Sequence, residues 1–183
     1  PTMHLNYPLS VVCFKDGLPK YKGFPAGFGG SDETVEETRT FPDAANQLEG
    51  ACYCGAVTVK ATAAPEAVGM CHCIECRKWS GSACQLVTLF KAENVVVEGD
   101  LVEFKHPSAT TAVGDGTKNN SIRRCCAKCY GCVTNDGQGS WDGLRDICGG
   151  ILGSARWEPT MHLNYSKGVI ECRDGLPKYK GFP

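Results

Sequence analysis

The sequence predicts a mainly β domain, compact, rich in loops and poor in helix, held together by metal. Three observations lead there. Of thirteen cysteines, nine fall into tight clusters of the forms C-x-C, C-x-C-x-x-C and C-x-x-C, the spacing of metal ligands rather than of a disulfide framework. Short apolar stretches alternate with period two between Gly, Pro, Asn and Asp. No stretch sustains a helical period. Clustered thiolates of this kind suit zinc, so the fold is expected to be zinc-stapled.

The bulk numbers set limits. A chain of 183 residues with a formal net charge of −1 can bury a core of its own and carries no basic field to hold a nucleic acid. No apolar run approaches the roughly 18 residues of a membrane-spanning helix, and no signal-peptide pattern opens the chain. Abundant unpaired thiols point to a reducing intracellular compartment.

Taken in order, residues 1–25 (PTMHLNYPLSVVCFKDGLPKYKGFP) and 159–183 (PTMHLNYSKGVIECRDGLPKYKGFP) are one segment written twice. In each copy Val11–Phe14 or Val169–Cys172 reads as strand, Asp-Gly-Leu-Pro as a turn, and the remainder as an extended tail. The cysteine clusters occur once. Residues 1–25 are therefore expected to be the C-terminal tail of an upstream tandem copy, and the opening Pro in place of Met fits a unit excised from something longer; local duplication of a terminal strand is the alternative. Residues 26–48 are Gly-rich, then acidic, and read as a linker whose Asp32 and Glu33–Glu37 form a solvated face.

From Glu49 a Gly-bounded knuckle, Cys52-Tyr-Cys54-Gly, leads into an alternating strand with Val57 and Val59 on one side and Thr58 and Lys60 on the other. Ala83–Phe90, Asn94–Glu98 and Leu101–Lys105 read as strands, the last two joined as a hairpin at Gly99-Asp100. Residues 107–121 read as loop. Residues 122–131 carry the last knuckle, Cys126-x-x-Cys129. Residues 135–154, with Trp141 their one large aromatic, read as loop with a short helical turn. Trp157–Tyr165 and Gly168–Cys172 read as closing strands.

Two constellations carry chemistry. Cys52 and Cys54 with Cys126 and Cys129 can close a four-thiolate tetrahedron that neither pair closes alone, with Cys125 and Cys132 as alternative ligands. Gly55 and Gly131 suit the tight turns of such knuckles. Cys71, Cys73 and Cys76 form a three-thiolate face that leaves one tetrahedral position open, as catalytic zinc sites do. Arg77 and Lys78 behind them favour thiolate. Ser80, Gly81 and Ser82 offer hydroxyls and N–H groups for a carboxylate. The alternatives are a second structural site closed by His72, Cys84 or Cys148, and an iron–sulfur cluster with a fourth thiol. His72, between two ligands, is expected to point away from the metal. His162 and its duplicate His4 are expected to be structural, and Cys13, Cys84, Cys148 and Cys172 to be isolated packing residues.

These stretches together resemble one family. Gly50-Ala-Cys52-Tyr-Cys54-Gly-Ala-Val, Cys71-His-Cys73-Ile-Glu-Cys76-Arg-Lys-x-Ser-Gly-Ser, Arg123-x-Cys125-Cys126-Ala-Lys-Cys129 and Asp174-Gly-Leu-Pro-x-x-x-x-Phe-Pro183 occur in the order found in the glutathione-dependent formaldehyde-activating enzymes, relatives of centromere protein V. The resemblance spans roughly 49–183, which is expected to form the domain. It implies a β-tent-type fold, a structural zinc on Cys52, Cys54, Cys126 and Cys129, and a labile zinc on Cys71, Cys73 and Cys76 near which glutathione binds. It implies a carbon–sulfur lyase joining glutathione, or a related thiol, to formaldehyde or another small aldehyde. The sequence departs from the family at Cys125, where Phe is usual, at Tyr130, where Gly is usual, and through 135–154. A different class of function remains open: a non-catalytic zinc module in a larger assembly, with residues 1–25 as its docking arm.

Overall fold

The computed structural model of the chain describes residues 1–35, 48–105, 121–137, 142–153 and 156–183. Trp141, most of the 107–121 loop and the second half of the 26–48 linker lie outside them.

Ten short strands, one α-helix of seven residues and four single-turn 3₁₀ helices make up the regular structure of the described residues, so the domain is mainly β. A three-stranded antiparallel sheet has the order β1-β2-β5, from β1 (Leu48–Ala51), β2 (Thr58–Ala61) and β5 (Val95–Glu98). A seven-stranded sheet has the order β10-β3-β4-β9-β8-β7-β6. It contains β3 (Ala67–Cys71), β4 (Gln85–Lys91), β6 (Leu101–Lys105), β7 (Ile122–Cys126), β8 (Cys132–Asp136), β9 (Leu144–Cys148) and β10 (His162–Leu163). All its pairings are antiparallel except β10 on β3, where His162 pairs with Met70 and Leu163 with Cys71. The helix α1 (Ile74–Ser80) follows β3 directly.

Alternation in β2 is as its sequence indicates: Val57 and Val59 are buried while Thr58 and Lys60 are exposed. The main core gathers Val57, Val59, Phe90, Val133, Ile147, Leu152 and Trp157. Trp157 meets Phe90 edge-on and donates its indole N–H to the Gly149 carbonyl at 3.1 Å. Fully burying a side chain the size of Phe90 contributes about 1.5–3 kcal/mol. Gly50 packs its backbone so close to Ile151 that a Cβ there would lie 1.9 Å from the Ile151 carbonyl oxygen. That explains a glycine at this point of the first knuckle.

Several expectations are corrected. β5 and β6 are not a hairpin: β5 pairs with β2 and β6 with β7, so Gly99-Asp100 is the crossing between sheets. Gly99, at φ 110°, passes so close to Ala56 that only glycine fits. Residues 135–154 are not a loop, since β8 ends within them and β9 is an inner strand of the larger sheet. Val11–Phe14 and Val169–Cys172 are not strands; Val12 makes only an isolated bridge to Trp157. Of the closing strands expected over 157–172, only His162–Leu163 forms one. Residues 31–35 of the expected linker fold back on the first repeat, where Lys22 N–H donates to Glu33 and Val35 N–H to Lys20.

Candidate functional site

The first cluster joins the two sheets. Cys52 and Cys54 lie just beyond β1, in a knuckle turned by Gly55 at φ 76°; Cys126 ends β7, and Cys129 sits in the turn before β8. The four sulfurs lie within 4.8 Å of one another. Two of the separations are 3.7 Å (Cys52–Cys54) and 3.8 Å (Cys54–Cys126). A tetrahedral zinc with Zn–S bonds of about 2.3 Å holds its sulfurs about 3.8 Å apart, so the donor set fits. Backbone N–H groups of Val57 and Lys128 donate to Cys52 Sγ and Cys126 Sγ at 3.3 and 3.4 Å. Burial opposes ionisation of Cys52, but the Val57 N–H and the neighbouring thiols outweigh it and bring the group down to about 6.

The alternative ligands are turned elsewhere. Cys125 follows a register shift after Arg124, and its Sγ approaches the Val102 carbonyl at 3.8 Å. Cys132 Sγ approaches the Trp79 carbonyl at 3.5 Å, and the neighbouring Cys148 thiol is the main cause that brings Cys132 down to about 7, so Cys148 is not isolated. In the tight turn expected at Gly131 the left-handed residue is Tyr130, at φ 57°.

The second cluster is local. Cys71 ends β3, Cys73 caps α1 by accepting the Cys76 N–H at 3.3 Å, and Cys76 lies in the first turn. All three are buried and within 4.8 Å of one another. Hydrogen bonds from Cys71 and Cys76 hold Cys73 down to about 2, while bonding to Cys73 pushes Cys71 up to about 12. Ionisation is thus favoured at Cys73 over Cys71 and Cys76. A divalent cation would release both remaining protons, and the three sulfurs would hold it on one side only.

The residues around this cluster come from the other end of the sequence. Arg123, from β7, directs Nη2 at Cys76 Sγ at 3.8 Å and stacks over Trp79. Its Nη1 is buried without a partner, as is Asn135 Oδ1. Asn164 directs Nδ2 at Cys71 Sγ, also at 3.8 Å. A cavity of about 70 Å³ opens beside the sulfurs, lined also by Arg123, Asn135, Asp146 and Phe182. Asp146 is wholly buried; burial pushes its carboxyl up to about 8, against the Thr88 N–H that it accepts at 2.9 Å.

Behind the cluster runs a line of hydrogen bonds. Asp174 accepts from His162 Nε2 at 2.7 Å, and His162 Nδ1 lies 2.9 Å from His72 Nε2. With a carboxylate at one end, His162 Nδ1 accepts and His72 Nε2 donates. His72 Nδ1 is then a bare acceptor, buried and unpaired. Burial first, then the neighbouring His162 ring and the Arg77 guanidinium, which oppose a positive charge here, lower His72 to about 4 and keep it neutral. His72 therefore turns from the sulfurs, towards His162 and Cys172, which groups with these two histidines rather than standing alone.

Arg77, Lys78, Ser80, Gly81 and Ser82 do not line the cavity. Arg77 Nε bonds the His72 carbonyl at 3.2 Å; Ser80 Oγ bonds the Cys76 carbonyl at 2.8 Å, and Ser82 Oγ the Cys84 carbonyl. The cation at the sulfurs is Arg123. Sequence reasoning assigned it no role, although it opens the Arg-x-Cys-Cys stretch. Neither His72, Cys84 nor Cys148 groups with Cys71, Cys73 and Cys76 as a fourth ligand.

Comparison with known proteins bears on this arrangement. A crystal structure of a Rhodobacter sphaeroides protein is 15% identical, covers 72% of this chain and 100% of its own, and superposes with a TM-score of 0.44, a likeness too distant to inform the site. No curated protein matches the chain. The family model for glutathione-dependent formaldehyde-activating enzyme matches residues 47–167, which contain every cysteine of both clusters. With well over half of its length matched, the chain belongs to the glutathione-dependent formaldehyde-activating enzyme family.

Proposed function

We propose that this chain joins a thiol, glutathione or a relative, to formaldehyde or another small aldehyde, forming a carbon–sulfur bond. The observation that carries this reading is the one-sided face of three buried sulfurs opening into a cavity with an unpaired Arg123 Nη1. A zinc ion held by Cys71, Cys73 and Cys76 would supply positive charge that favours the thiolate form of an incoming thiol.

The chain's own residues do the rest. As the thiol sulfur adds to the carbonyl carbon, the C=O π pair moves onto oxygen, which takes up one proton; nothing leaves, and the product is a hemithioacetal. Arg123 Nη1 donates to the oxygen as charge develops there, a contribution that is strong in a site closed to water. Asn135 Oδ1 can accept from the hydroxyl that results. Both atoms are otherwise orphaned, which costs stability unless a ligand uses them. Reversal breaks the C–S bond, the lyase direction.

The cavity sets the substrate class. Sites for drug-sized ligands measure about 300–1,000 Å³, whereas this one is about 70 Å³. It admits an aldehyde of one or two carbons with the thiol end of its partner, and the body of a tripeptide lies outside. The same closure favours a second reading, a non-catalytic zinc module whose cluster is covered by Asn164 and Phe182 from the C-terminal segment.

Exchange NMR with ¹³C-formaldehyde and glutathione separates the two. Faster interconversion of free aldehyde and adduct on adding protein, with metal content falling from two ions to one on dialysis against excess glutathione, supports the enzyme. Unchanged exchange with two retained ions supports the module.

A further inference from the structure

The duplicated segments fold alike internally and are used differently. In the second copy His162 bonds Asp174 at 2.7 Å; in the first His4 bonds Asp16 at 2.8 Å. The Asn164 and Gly181 backbones pair at 3.1 Å, as do those of Asn6 and Gly23. The Tyr165 hydroxyl accepts the Cys172 N–H at 2.8 Å, and that of Tyr7 accepts the Phe14 N–H at 2.9 Å. Asn164 and Asn6 share the left-handed backbone, at φ 52° and 49°. Residues 1–25 thus hold the same local shape without the surroundings of residues 159–183.

The outward faces differ. Leu163 and Asn164 are 5% and 1% exposed, buried against β3 and the second cluster, whereas Leu5 is 43% exposed and Asn6 is also open to solvent. Phe182 lines the small cavity, whereas Phe24 is 45% exposed. The first copy rests on the domain through its other side: a bridge from Val12 to Trp157, and an exposed ion pair between Lys15 and Glu158. A cavity of about 960 Å³ remains between the two copies. The face that β3 recognises is therefore preformed in residues 1–25, intact in sequence and exposed at Leu5, Asn6 and Phe24.

We propose that residues 1–25 are a closing segment for a second copy of this domain: they dock on the β3 edge and over the thiol cluster of a neighbouring copy whose own residues 159–183 are not in place. Identity at His, Leu, Asn and Phe preserves each contact, and preformed shape lowers the entropy lost on docking. Strand addition to an edge supplies the backbone bonds. At the position of Gly168 the first copy has Ser10; a Cβ there lies 3.1 Å from the unpaired His72 Nδ1. A shift of a few tenths of an ångström brings the serine hydroxyl into donating reach. The proposal does not depend on the chemistry of the cluster.

The test uses full-length chain carrying both Leu5→Asp and Leu163→Asp, which frees the β3 edge of both its own segments. A fluorescent peptide of residues 1–25 is expected to bind this variant one to one, and to bind the unaltered chain at least tenfold more weakly. The same peptide with Leu5→Asp is expected to lose at least tenfold. A peptide that binds both chains equally, a Leu5→Asp peptide that binds as well, or no binding to a folded double variant overturns the proposal. If the double variant does not fold, the decision falls to the full chain rewritten as S166P, K167L, G168S, I170V, E171C, C172F and R173K, which turns its own closing segment into the first copy. Retained hydrogen-exchange protection of the Met70 and His72 amides, which bond Met161 and Leu163 at 2.9 Å, supports it; lost protection overturns it.

Discussion

The two thiol clusters are built from the same side chain in opposite ways. The first draws its sulfurs from two knuckles more than seventy residues apart and ties the small sheet to the large one. The second takes its sulfurs from a single stretch of six residues at the junction of β3 and α1 and ties little together; what surrounds it, Arg123, Asn164 and Phe182, comes from elsewhere. A cluster that closes a long loop contributes to folding. One that is already local contributes little to folding and is free to hold a ligand position open.

This contrast breaks first at Cys126, buried at the end of β7. Cys126→Ala is expected to abolish the cooperative thermal transition, since structural zinc sites of this kind contribute about 10 kcal/mol or more and whole domains have only about 5–15. Calorimetry with metal analysis reads it, and a variant that melts within a few degrees of the parent would reverse the roles assigned to the clusters. Cys76→Ser should instead lose one metal ion and all acceleration of adduct exchange while keeping a sharp melt; an unfolded product would make the second cluster structural as well. Arg123→Met tests whether the covering residues act: the exchange rate should fall about 100-fold, the typical cost of one donor to a developing oxyanion, with the metal retained.

Asp146 sharpens the comparison through pH. Its folded carboxyl sits at about 8 because it is buried, whereas unfolded it titrates near 3.9. The folded chain keeps a proton that the unfolded chain loses, so this group's contribution is full below about 4 and is lost as pH rises towards about 8. Urea midpoints should therefore fall more steeply between pH 5 and 8 in the parent than in Asp146→Asn, and parallel profiles would show that Asp146 is ionised throughout. The smallest effect is at the first knuckle's partner turn. Tyr130 is 71% exposed with φ 57°, a conformation that costs a non-glycine residue about 1–2 kcal/mol. Tyr130→Gly should raise stability by about 1 kcal/mol in urea titration; no gain would mean the ring makes contacts worth the strain.

Much of this was legible in the sequence where the information is local. The C-x-C-x-x-C spacing brings Cys71, Cys73 and Cys76 together, and the period of Val57 and Val59 marks their buried face. The pairing of Cys52 and Cys54 with Cys126 and Cys129 was legible because neither pair completes a tetrahedron. Sheet membership was not: β5 and β6 flank a Gly-Asp step that reads as a hairpin, yet β5 pairs with β2 and β6 with β7, partners that the local sequence does not reveal. β9 was hidden because Gly and Asp crowd its flanks, and its burial comes from β4 and β8 on either side. α1 is too short to show a period, and its cap is a thiol, Cys73, rather than Ser or Asp. Arg123 and Asn164 could not be placed because their role depends on pairings made across the whole chain.

The parallel strand β10 has a consequence for synthesis. His72 and His162 are 90 residues apart in sequence, so as the chain leaves the ribosome β3 and its three thiols emerge long before the strand that covers them. During that interval a nascent chain shows an open strand edge and a reactive thiol trio, the surfaces most prone to mispairing and oxidation. A copy of the covering segment stands at residues 1–25 and has been made by then.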